Sequence, residues 1–129
     1  MINTEYNTYE VLMYSVIPLF QPAFINTTAS VFYTSPSAVG QSNGVNTRIS
    51  NITVTNTDVA PRTISLYITP GTGAPTTVNT IINSKTLAIN ETFVIYQCVG
   101  NVLSPGSSIQ AMADVAGKVV FAASGIQFS

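Results

Sequence analysis

Eight residues in the middle of the chain alternate without a break. Across Arg62–Thr69, Ile64, Leu66 and Ile68 fall on one side, and Thr63, Ser65, Tyr67 and Thr69 on the other. Successive side chains of an extended strand point to opposite faces, so this period-two pattern reads as a strand with one buried face. The same alternation returns at Ile109, Ala111 and Ala113, at Val119, Phe121 and Ala123, and across Thr92–Val99. Thr47–Asn56 is rich in β-branched residues, with Ile52 and Val54 on one face. Ile49 is out of phase with that pair, which predicts a β-bulge near Asn51. Ala29–Thr34, Val78–Asn83 and Lys85–Ile89 complete the set of short runs. Between them lie turn signals: Ser35-Pro36, Asn43-Gly44, Asp58–Pro61, Pro70–Pro75, Asn90-Glu91, Pro105-Gly106 and Ala116-Gly117. Short strands punctuated this regularly predict an all-β sandwich, jelly roll or small barrel.

The first 28 residues follow a different rule. A polar start is followed by the apolar run Val11–Ile25, interrupted by Pro18 and Pro22. A secretory signal needs a positive leading region, but Glu5 and Glu10 precede the run without any Lys or Arg. A spanning helix needs about 20 apolar residues, and internal proline breaks helical hydrogen bonding. The stretch therefore reads as an extended arm over residues 1–28, ahead of a β domain over 29–129. Two fates for the arm are equally open. It is a first strand of its own domain, or it crosses to a neighbouring subunit.

Charge narrows the partners. Charged residues make up 7% of the chain, against roughly 25% in ordinary domains, while 46% is hydrophobic. A surface so poor in charge repels its own copies weakly and favours assembly. The four cations, Arg48, Arg62, Lys85 and Lys118, are scattered, and the net charge is -1. Neither a nucleic acid nor an anionic membrane is an expected partner, because both are held by clustered Lys and Arg.

The chain contains no histidine and one cysteine, Cys98. The usual general base, the Ser-His and Cys-His arrangements and a Cys/His metal cluster are thereby excluded. Acid–base hydrolysis of polysaccharide would need two carboxyls facing one cleft. Glu5, Glu10, Asp58, Glu91 and Asp114 lie in the arm, in turns or near a strand end, without a local motif. The Pro70–Pro75 segment has two glycines but not the spacing of a phosphate loop. The expectation is a protein with no catalytic, cofactor or metal site. Cys98 is read as a packed small apolar side chain. Tyr67, on the polar side of its strand, is the best candidate for an exposed tyrosine, with cross-strand packing as the simpler role.

One ordered set of motifs carries a resemblance. Phe32-Tyr33-Thr34-Ser35-Pro36 precedes Thr47-Arg48-Ile49 and Ile52-Thr53-Val54-Thr55-Asn56. The alternating strand Arg62–Thr69 follows, then Leu103 with Pro105-Gly106 before Ile109-Gln110-Ala111, and finally Ser124-Gly125-Ile126. Over residues 29–128 the chain resembles small virion proteins of tailed bacteriophages. Their outline is Tyr-Thr-x-Pro, a strand ending in Thr-Asn, an alternating strand, Leu-x-x-Gly-Asp-x-Ile and a final Ser-Gly-Ile/Val. The chain departs from it at Ser107, where the group often has Asp, and in its longer apolar arm. The resemblance implies an antiparallel, jelly-roll-like β-sandwich that often assembles as a trimer on the virion. It also implies a capsid decoration (cement) piece, bound to the major capsid protein or another virion protein. The alternative is a tail fibre or baseplate module that binds a host receptor or glycan through loops such as Ser37–Asn46 and Thr72–Thr77. Within the arm, Tyr14, Ile17, Leu19, Phe20 and Phe24 are the expected interface side chains.

Overall fold

The computed structural model describes residues 15–37 and 44–129. They form an all-β structure of two antiparallel sheets. In chain order the strands are β1 (Ile17–Pro18), β2 (Ala23–Phe24), β3 (Ser30–Thr34), β4 (Asn46–Asn56) and β5 (Arg62–Thr69). A 3-10 turn at Thr77–Asn79 leads into β6 (Thr80–Leu87). β7 (Thr92–Val94), β8 (Val102–Leu103), β9 (Ser108–Ala113) and β10 (Val119–Phe128) follow.

The first sheet runs β1-β10-β4-β7, with β2 also pairing β10 and β8 also pairing β4. Its two edges are thus each made of two short pieces in line. The second sheet runs β3-β9-β5-β6. Every pairing is antiparallel. The apolar faces of both sheets meet in one core. Ile52, Val54, Val119 and Phe121 come from the first sheet, and Ile64, Leu66, Ile109 and Ala111 from the second.

The bulge expected in β4 is present. Pairing with β10 steps from Asn51 opposite Ser124 to Ile49 opposite Gly125, leaving Ser50 as the extra residue. This brings Ile49 back to the inner face, where it is fully buried. Two other expectations are modified. Val78–Asn83 and Lys85–Ile89 belong largely to one strand, β6, in which Ser84 takes a positive φ of 51° and its N–H donates to Ser65 Oγ at 2.9 Å. The alternation over Thr92–Val99 is strand only as far as Val94. Beyond it the chain coils, with Cys98 N donating to Ile95 O and Asn101 N to Cys98 O, both at 3.0 Å. That coil still drops Ile95 and Cys98 into the core, so two inward side chains three residues apart serve a turn here.

The arm's described residues lie against their own domain. Ile17 and Pro18 pair Gly125 and Ser124, and Ala23 and Phe24 pair Phe121 and Val120. Leu19 N and Ile25 N donate to Ala123 O and Val119 O at 3.0 and 2.9 Å. Ile25 is fully buried, and Phe20 packs its ring against Phe32 and Phe121 at centroid distances of 5.5 and 5.1 Å. Phe32 meets Phe121 edge-on at 4.9 Å, a favoured aromatic geometry. Residues 15–28 therefore form a discontinuous edge of the first sheet. Within the one chain these residues pair with their own domain, and residues 1–14 of the arm lie outside the described residues.

Candidate interaction surface

The register fixes which side chains leave the first sheet on its outer side. Arg48, Asn51, Thr53 and Thr55 of β4 stand there beside Val120, Ala122, Ser124 and Ile126 of β10. β7 adds Thr92 and Val94, β8 adds Val102, and β2 adds Phe24. Thr55 and Thr92 are hydroxyl to hydroxyl at 3.0 Å. Phe24 is 51% exposed and Val102 53%. Between β1 and β2 the chain makes no strand pair, although Leu19 still donates to Ala123 O. There it leaves a shallow cleft of about 350 Å3, walled by Ile17, Pro18 and Pro22 and floored by Thr53 and Ala122. On this face Arg48 is the one charged side chain among the described residues.

The other charges gather elsewhere. Asp58, in the turn after β4, is buried against Arg62, whose Nε and Nη2 donate to Oδ2 at 2.7 and 2.6 Å. Arg62 also reaches Asp114 at 3.4 Å, and Lys118 stands 3.9 Å from Asp58. The Arg62 hydrogen bond, helped by the Val59 N–H at 2.7 Å, holds the Asp58 carboxyl below its ordinary value. Lys85 lies over the Phe93 ring, 4.9 Å from its centroid, where the β6 and β7 edges meet. Glu91 accepts the Ala88 N–H at 2.7 Å.

The arm residues expected to form an interface divide. Ile17 and Phe24 are exposed on the sheet edge, whereas Leu19 and Phe20 pack against the core. Tyr14 lies outside the described residues, as do Glu5, Glu10 and positions 38–43 of the Ser37–Asn46 loop. Arm hydrophobicity alone could not separate the two groups, because Phe20 and Phe24 are told apart only once the chain is folded: Phe24 pairs Val120 in the sheet, and Phe20 packs on Phe121 between strands. The outer-face residues of β4 and β10 were missed, although their Thr- and Ala-rich alternation, broken by the single charge of Arg48, was visible in the sequence.

Cys98 is buried, and burial pushes its thiol up to about 12. Among the described residues no group of three or more His, Cys, Asp or Glu side chains could hold a metal ion. Comparison with protein-family models, curated proteins and solved structures gives no match to this chain.

Proposed function

We propose that this chain is a structural protein of a tailed-phage virion, a capsid decoration or cement protein that acts by fitting against neighbours. The observation that carries this reading is the outer face of the first sheet, which mixes Thr with exposed Phe24 and Val102 and offers one charge, Arg48. Such a face costs little to dehydrate, since few ions lose their water when it is covered. Removing apolar area from water contributes roughly 25 cal/mol per Å2 before the costs of association are deducted. The partners are further copies, as a trimer, and the major capsid protein.

The strand order supports a jelly-roll reading of the fold. If β1 and β2 count as one edge strand, and β7 and β8 as another, eight positions remain. Taken in chain order, the first, eighth, third and sixth form one sheet, and the second, seventh, fourth and fifth form the other. That order matches the two Greek keys of a jelly roll, an architecture used by capsid, lectin and cupin domains, and it supports this reading.

Location on the particle tests the function. Gold-labelled antibody against the chain should cover the head surface of intact virions, and the purified protein should have the mass of a trimer in solution. Label restricted to the tail would favour the fibre or baseplate alternative. Unlabelled particles would sink both.

A further inference from the structure

A second surface lies on the opposite sheet. The Pro70–Pro75 loop folds back over the outer face of β5 and β9 and is pinned from beneath. Gln110, 2% exposed, donates through Nε2 to Gly73 O at 2.8 Å. The hydroxyls of Thr69 and Ser108 both donate to Gly71 O. Burying an amide and two hydroxyls is costly unless each is partnered, and here the partners are the loop's own carbonyls. The loop is thus held rigidly at a set height above the sheet.

Beyond the pinned carbonyls, where the loop ends at Pro75, a groove of about 430 Å3 lies between the chain leading into β6 and the strands, lined by Tyr67, Pro75, Thr76, Thr77, Thr80 and Asn83. The volume falls within the roughly 300–1,000 Å3 typical of small-molecule sites. Tyr67 is half-buried, and its hydroxyl donates to Met112 Sδ at 3.3 Å, a weak acceptor that a ligand oxygen would improve on. The side chains of Thr77, Thr80 and Asn83 make no hydrogen bond to another described residue, so they remain available. No charged side chain lines the groove, and Lys85 is engaged with Phe93.

We infer that this groove binds a neutral saccharide. An aromatic ring beside the two free hydroxyls of Thr77 and Thr80 and the amide of Asn83 matches a ligand with apolar C–H faces rimmed by hydroxyl groups. An anion would find no cation here, and an apolar peptide would find no deep pocket for an anchor. The site deepens the glycan-binding alternative, whose Thr72–Thr77 loop it includes, and it does not depend on the cement reading.

The test is amide-resolved NMR titration of the full chain with maltose, cellobiose and lactose, and with digalacturonate as an anionic control. At least one neutral disaccharide should give saturable shifts centred on residues 67, 76–80 and 83, with a dissociation constant on the order of 1 mM. Digalacturonate should give none. Tyr67→Ala should abolish the response. Thr80→Val and Asn83→Ala should each weaken it about fivefold, the loss of one ordinary hydrogen bond. If Tyr67→Ala does not fold, the exposed Asn83→Ala decides. No saturable shifts with all three neutral sugars, shifts centred elsewhere, equal binding of the anion, or unweakened binding by Asn83→Ala would overturn the proposal.

Discussion

Gly125 sits where β10 meets the β4 bulge, and it has no room for a side chain. A Cβ there would lie 2.4 Å from the backbone carbonyl oxygen of Arg48, and a backbone atom cannot swing aside as a side chain can. Gly125→Ala should therefore cost about 1–3 kcal/mol, read as a lower denaturant midpoint with the slope unchanged. Asn56 is a second single-residue pin. It is fully buried, its amide donates to Ala60 O at 2.9 Å and Ala88 O at 3.2 Å, and its Oδ1 accepts the Asp58 N–H at 2.9 Å. Cys98 makes a different prediction. With its thiol buried and shifted to about 12, it should resist iodoacetamide in the native protein at neutral pH and react once the protein is unfolded in urea. Prompt labelling of the native protein would show that this turn opens. The glycine's role was half legible: a kink could be expected from Gly125 beside two alternating halves, but the carbonyl it must clear belongs to a residue 77 positions away.

At the scale of elements, the arm is the most informative. Phe20→Ala and Ile25→Ala should each cost about 2–4 kcal/mol, because both side chains pack within the domain's own core. At concentrations low enough to keep the copies apart, their midpoints should not depend on protein concentration. A midpoint that rises with concentration would mean that the edge is supplied by another copy. Removal of all residues before 29 would take Ile25 from the core, so a truncation aimed only at particle binding must end before Ser15. The turn carrying Asp58 has its own pH signature. A carboxyl depressed by Arg62 contributes stability that is present above the ordinary carboxylate value and is lost as pH falls through the depressed one. The loss of stability on acidification below about pH 4 should be shallower in Asp58→Asn, which can be checked by urea midpoints across pH 2–6. Strands with one buried face, such as β5, were legible because alternation is a local property. The coil after Val94 was not, since the sequence shows that Ile95 and Cys98 are apolar but not that the core reaches them through a turn.

For the whole molecule, the two sheets differ in what they offer outside. One presents a broad face with a single charge, and the other a narrow groove beside a pinned loop. If the broad face is where copies meet, Phe24→Ser with Ile126→Ser should shift the sedimentation mass toward the monomer while leaving the groove's response to sugar unchanged. The arrangement of sheets was not readable from alternation, because any strand of period two can neighbour any other. The pairing of Arg62–Thr69 with a strand whose partners lie 39 to 49 positions later is a property of the assembled core alone.

The late position of β9 and β10 has a consequence for biogenesis. Each lies inside its sheet, flanked on both sides, and each follows nearly everything it binds. On a translating ribosome, β1 and β2 have no partner at all, and β4 has one side bare, until Val119–Phe128 has emerged. Such long-range closure is slow and leaves greasy edges open to misassociation meanwhile. A nascent chain halted near Asp114 should be caught by holding chaperones and digested readily by protease, and the same chain extended past Phe128 should be resistant.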